Sequence, residues 1–189
     1  IRFGSAYNAD ALIDQGYQFD FYDGGGLDQC YLGLAECDAK GNINVSRFGP
    51  RIAGCGGFIN ITQNTPKVFF CGTFTAGGLK VKVEDGKVVI AQEGKQKKFL
   101  NAVEQVTFNG DVALENKQDV TYITERCVFH LEKDGMHLTE IAPGIDLQTQ
   151  ILDMMDFTPI IDKDASGNIK LMDAKLFAEG LMGLKEMKA

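Results

Sequence analysis

Three glycines within four positions, Gly54-Cys55-Gly56-Gly57, constrain this chain more than any other stretch. The apolar Phe58-Ile59-Asn60-Ile61 follows at once. Glycine reaches backbone angles closed to other residues and lets another group approach the main chain. A small-residue turn between two strands can therefore aim bare N–H groups at a ligand oxygen. The same pattern also builds an ordinary tight turn with a close packing contact, and the rest of the chain decides between the two.

On either side the chain reads as short strands with few helices. Ala6 to Gln15 predicts a short helix capped at Asn8, with Ala9, Leu12 and Ile13 on one face. Tyr17 to Tyr22 alternates aromatic and polar residues, as a strand does, and runs into a second glycine turn, Gly24-Gly25-Gly26. Gly26 to Ala35 fits a buried helix or a buried strand equally. Glu36 to Val45 reads as a hairpin turning at Asp38 to Gly41, and Leu79 to Ala91 as a hairpin around Asp85-Gly86. Lys67 to Phe74 is nearly continuous in apolar residues, which predicts a strand covered on both faces. Val103 to Phe108 is a further strand candidate. Val120 to Leu131 alternates and turns back at Asp134-Gly135 into Met136 to Ile141. Ile145 to Leu152 starts a helix capped at Asp146, Ile160 to Ile169 is a polar linker, and Leu171 to Met187 has helical spacing. Many short strands without strict strand–helix alternation imply a mixed α/β layered fold.

Charge and cysteine content narrow the function. The formal net charge is −7, and no Lys/Arg stripe offsets it, so nucleic acid is not an expected partner. No apolar run approaches the roughly 20 residues that span a bilayer, so no membrane partner is expected, and no signal peptide opens the chain. Cysteines at 30, 37, 55, 71 and 127 are odd in number and match no zinc spacing. They read as reduced thiols in a cytoplasmic protein. The chain opens Ile1-Arg2-Phe3-Gly4 without methionine, as a processed product or a piece of something longer does. Cys55 reads as a packed small residue. His130 and His137 flank a hairpin turn and read as surface or half-buried residues, since two histidines without further ligands make a poor metal site. No metal site is expected. Asp20, Asp23 and Asp28 suit turn capping.

The linear set of motifs is more specific than any one of them. Phe3-Gly4-Ser5-Ala6-Tyr7-Asn8, Gln18 to Asp28 (QFDFYDGGGLD), Leu32-Gly33-Leu34-Ala35, Gly41 to Pro50 (GNINVSRFGP), the turn from Gly54 to Ile61, Phe70 to Gly78 (FCGTFTAGG) and Ile123 to Phe129 (ITERCVF) occur in that order. The order resembles the C-terminal (β-type) half of family I coenzyme A transferases. It is most similar to the single-chain acetate/acetoacetate and short-chain acyl-CoA transferases. The likeness implies an open layered α/β sandwich with mixed sheets and hairpins over 1–159, followed by a linker and C-terminal helix over 160–189.

The resemblance also implies a chemistry. A glutamate attacks an acyl-CoA thioester, an acyl-glutamyl anhydride and then a glutamyl-CoA thioester form, and the acid acceptor takes the CoA. Gly56 and Gly57 are then the expected oxyanion donors. Gly54, Gly56, Gly57, Phe58, Gly24, Gly25 and Gly26 are the expected coenzyme contacts. Coenzyme A is a substrate, and no tightly bound cofactor is implied. The family's nucleophile sits in a Glu-x-Gly segment upstream of the position of Phe3-Gly4. It is therefore expected outside this chain, which alone should transfer no CoA. An N-terminal (α-type) half and a homo-oligomer are the expected partners, beside the acyl-CoA and carboxylic acid substrates. Other branches place a lysine near the end of the Phe70 to Gly78 strand. Thr75-Ala76-Gly77-Gly78 has none, so positive charge would come from Arg47, Arg51 or the other half. An acyl-CoA hydrolase of the same fold, or a non-catalytic domain binding CoA or a partner, are the alternatives.

Overall fold

Alternation of apolar and polar residues decides the centre of the molecule. In the computed structural model, which describes residues 7–178 and 182, seven strands form one sheet. In chain order the elements are α1 (Gln15–Asp23), β1 (Gln29–Gly33), β2 (Glu36–Asp38), β3 (Ile43–Asn44), β4 (Arg47–Phe48), β5 (Arg51–Ile52), α2 (Phe58–Gln63), β6 (Lys67–Cys71) and β7 (Thr75–Ala76). There follow β8 (Lys80–Glu84), β9 (Lys87–Gln92), β10 (Gln96–Lys97), β11 (Phe99–Leu100), α3 (Gly110–Glu115) and β12 (Asp119–Ile123). The chain continues through β13 (Cys127–Glu132), β14 (Gly135–Ile141), α4 (Leu147–Gln150), β15 (Ile160–Ile161) and β16 (Lys170–Leu171).

The main sheet runs β1-β6-β12-β13-β14-β15, with β16 also on β14. β1, β6 and β12 are mutually parallel, and β12, β13 and β14 form an antiparallel meander. Val68, Phe70, Val120, Tyr122, Phe129 and Leu138 alternate onto one buried face. Phe70 meets Phe58, Phe108 and Tyr122, with ring centroids 5.6, 4.9 and 5.4 Å away. Burial of this face is the main source of stability. The hairpins expected at Asp38–Gly41 and Asp85-Gly86 form as β2–β3 and β8–β9, and Asp146 caps α4 by accepting from the Thr149 N–H at 2.8 Å.

Several expectations are corrected. Residues 7–14 form no helix, and the expected strand from Tyr17 to Tyr22 lies inside α1. Alternating aromatics also fall at i and i+4, so the spacing permits a helix turn, and the glycines after Asp23 terminate it. The glycine turn leads into α2 rather than a second strand, because Phe58, Ile61 and Thr62 share one helical face toward the sheet. β6 is covered on one face only. On the other, Phe69 stacks on Tyr31 with centroids 4.8 Å apart, and Tyr31 is 62% exposed. Val103 to Phe108 contributes an isolated bridge from Phe108 to Ile43, not a strand. Residues 160–171, read as linker and helix start, supply β15 and β16 to the sheet. A 3-10 turn occupies Ala174–Phe177, and the rest of the expected C-terminal helix lies outside the described residues apart from Met182.

The two histidines are cross-strand neighbours on β13 and β14. His137 meets the carboxylates of Asp162 at 2.8 Å and Asp134 at 2.9 Å, and the Asp162 hydrogen bond above all raises its pKa. A raised folded-state value means the ionised pair stabilises the protein fully below the unfolded value of about 6.5. That contribution is lost as pH rises through the folded value. A His137→Gln variant should therefore lose its stability deficit above the raised pKa, and proton NMR of His137 should titrate above 6.5. A midpoint at or below 6.5 would contradict the pairing.

Candidate active-site turn and cleft

The central turn carries the geometry that its sequence suggested. Gly54 and Gly56 adopt φ of +79° and +53°, angles that an L side chain rarely tolerates. The turn is fixed from behind, since the N–H groups of Ala53 and Gly54 both donate to the Ser46 carbonyl at 2.9 and 3.0 Å. Among the described residues, the N–H groups of Cys55, Gly56 and Gly57 donate to no acceptor. Gly56 is exposed and Gly57 half-buried. Successive free N–H groups around a left-handed residue form a concavity suited to an anionic oxygen. Phe58 is different: its side chain is buried against Phe70, and its N–H is taken by the Cys55 carbonyl at 3.0 Å. Cys55, expected to be packed, is exposed on the turn.

The second glycine turn lies close to the first. A Cβ on Gly57 would lie only 2.9 Å from Cζ of Phe19 in α1. Asn60 of α2 donates to the Asp23 carboxylate at 2.9 Å, and Asn64 to the Asp23 carbonyl at 2.5 Å. The N–H groups of Gly24, Gly25 and Gly26 are spent on the carbonyls of Asp20, Tyr22 and Phe21. This run therefore terminates α1 and has no N–H left for a ligand.

A cleft of about 570 Å³ opens beyond the C-terminal end of β1. Leu34, Ala35, Glu36, Phe48, Gly49, Ala76, Gln96, Lys97, Lys98 and Glu104 line it. Arg47, one expected source of positive charge, pairs with Glu104 at 3.5 Å. Arg51 is exposed. Lys98 instead brings an ammonium to the segment after β6, donating to the Thr73 carbonyl at 2.7 Å.

Behind this segment lies an ionic cluster that the sequence did not reveal. The Arg126 side chain is 0% exposed. It donates to Glu125 at 2.7 Å, to both oxygens of Glu93 at 2.9 and 3.2 Å, and to the Gln150 carbonyl at 2.8 Å. Its guanidinium carbon lies 4.8 Å from the centre of the Phe74 ring. Glu125 in turn accepts from the Phe74 N–H at 2.8 Å, and Glu93 from the Thr75 hydroxyl. Burial works against ionised Glu93, but hydrogen bonds from Arg126, Thr75 and Gly94 outweigh it and lower its pKa. The cluster thus grips the chain at Phe74 and Thr75, directly before Ala76 of the cleft wall. The only sequence signal was a charged Glu125-Arg126 pair interrupting an alternating stretch. Among the described residues no group of histidine, cysteine and carboxylate side chains could hold a metal, and no helix is long and apolar enough to cross a membrane. All five cysteines are free.

No family model matches the chain. Individual proteins do. The chain is 54% identical over 183 residues to acetate CoA-transferase YdiF of Escherichia coli K12, covering 97% of this chain and 34% of that protein. It is 56% identical over 188 residues to caffeate CoA-transferase of Acetobacterium woodii, covering 97% and 35%. The crystal structure of the acyl-CoA transferase YdiF apoenzyme from Escherichia coli O157:H7 superimposes with a TM-score of 0.90 at 53% identity, covering 97% of this chain and 35% of that one. The same enzyme has been solved as a thioester complex with CoA. The chain is thus a close homologue of a segment of the CoA transferases and has that segment's mixed α/β fold. It spans about a third of the length of the curated relatives it matches.

Proposed function

We propose that this chain is the C-terminal, β-type part of a CoA transferase. The whole protein moves CoA between a short-chain acyl-CoA and a carboxylic acid through a glutamyl-CoA thioester. The observation that carries this reading is the 54% identity to an acetate CoA-transferase along 97% of the chain. The free N–H groups at Gly56 and Gly57 support it, since each acyl-transfer step builds an anionic oxygen that fixed N–H donors stabilise. Gly54 shapes that turn, and Phe58 anchors it to the sheet. The Gly24 to Gly26 loop contributes coenzyme contact without N–H donation, since its N–H groups are already bonded. The attacking carboxylate comes from the part of the protein that corresponds to the remaining two thirds of the relatives. Within this chain the cleft and cluster glutamates are engaged: Glu93 and Glu125 by Arg126, Glu104 by Arg47 and Glu36 by Asn44 at 2.7 Å.

Docking of that other part would cover exposed apolar side chains such as Tyr17, Phe21, Tyr31 and Ile52. Coenzyme A acts as substrate, the assembly is a homo-oligomer, and the compartment is the cytoplasm. The test uses the whole protein with an acyl-CoA, with and without a second carboxylic acid. Transfer that needs the acid, with a borohydride-trapped glutamyl adduct outside residues 1–189, is expected. Release of free CoA at the same rate without acid would replace transfer by hydrolysis. An adduct on a glutamate of this chain would move the nucleophile into it.

A further inference from the structure

We propose that Lys98 is the anchor for the carboxylate of the acid substrate, held in the cleft beyond β1. The inference rests on the transferase reading and adds a residue and a ligand group to it. Lys98 is 7% exposed, yet it lines the cleft. An ammonium carries three donors, and among the described residues it has a single acceptor, the Thr73 carbonyl.

The other charges of the cleft are answered within the fold. Lys97 pairs with Asp156 at 3.0 Å, and Glu104 with Arg47. Glu36 accepts from Asn44 and from the Glu104 N–H at 3.3 Å. Lys98 alone meets no carboxylate within ion-pair distance among the described residues. Burial lowers the Lys98 pKa, and Glu125 and Cys37 oppose this only at longer range. A buried charge without a partner is costly, and a bound anion supplies one.

The surroundings choose the anion. Glu36 and Glu104 line the same cleft and disfavour a doubly charged phosphate. A singly charged carboxylate matches one ammonium, and Leu34, Phe48 and Ala76 offer apolar contact to a short acyl chain. The guanidinium cluster supports this placement from behind: Phe74 and Thr75, which it holds, follow directly on the Thr73 carbonyl that orients the ammonium.

Lys98→Met in the whole protein keeps the aliphatic stem and removes the charge. Loss of a hydrogen bond to a charged group predicts a rise of about 10- to 100-fold in KM for the acid. KM for the acyl-CoA should stay within about twofold, a split that a merely structural lysine would not produce. Equal changes in both constants, or none, would overturn the assignment. A second measurement uses the unmodified protein with lysine ammonium groups labelled with nitrogen-15. Titration with acetate should shift the Lys98 signal saturably, and no shift would equally overturn the anchor. This arm separates the two readings. A protein that binds acetate at Lys98 but transfers no CoA keeps the anchor and loses the transferase.

Discussion

Arg126→Leu is expected to lower the unfolding free energy by about 3–5 kcal/mol at pH 7, the range for removing one partner of a buried ion pair. The guanidinium side chain is fully buried, and its loss leaves two carboxylates without a counter-charge and the Gln150 carbonyl without this donor. Leucine has no donor for any of them. The effect should depend on pH with a definite sign. Glu93 has a depressed pKa in the native protein, so its pairing stabilises above the unfolded carboxylate value and is lost as pH falls through the depressed one. In the variant, stranded carboxylates can take up protons instead. The deficit measured by urea unfolding should therefore shrink on acidification toward pH 4. Adding Glu93→Gln and Glu125→Gln should recover part of it, because neutral amides cost less to bury than unpaired charges. A pH-independent deficit with no recovery would mean that the cluster acts by packing alone.

Gly57→Val should cut the transfer rate of the whole protein about 100-fold while the chain stays folded. That magnitude is the lower end for losing one oxyanion donor. Gly57 has φ of −85°, so its backbone accepts a side chain. The lesion is one of space: a Cβ would lie 2.9 Å from Cζ of Phe19 and 3.5 Å from Cδ1 of Ile61. Relief comes from a shift of the Phe19 ring, of α1 or of the turn, and a shift of the turn displaces the proposed donors. The contrast with Gly54 and Gly56 is useful. Any residue there is strained by its positive φ, and a loss of activity could be confused with a loss of fold. Steady-state transfer with intact circular dichroism is the measurement. A folded Gly57→Val protein at full rate would remove the turn from the reaction.

Local chemistry was legible and long-range pairing was not. Asp85-Gly86 and Asp38 to Gly41 announced their hairpins because turn residues act through their own backbone. The central glycine turn was visible for the same reason. Tyr17 to Tyr22 misled because α1 buries no residue completely, so no apolar stripe marks it as helical. Phe58-Ile59-Asn60-Ile61 misled because a short apolar run fits either element until its neighbour is known. Lys98 stands in a lysine-rich stretch, Gln96-Lys97-Lys98, where nothing separates the exposed Lys97 from the buried Lys98. Arg126 and Glu93 are 33 positions apart in sequence, and only the fold brings them together.

The mixed order of the sheet sets how such a chain acquires it. β12, β13 and β14 are consecutive, and a meander can close by local contacts. β1, β6 and β12 pair in parallel across segments near residues 30, 70 and 120. Those pairings must wait until distant loops have closed, which is slow for any polypeptide. On a ribosome the first two parallel strands would emerge well before the third. Until then one edge of the nascent strand pair stays open to chaperones or to neighbouring chains.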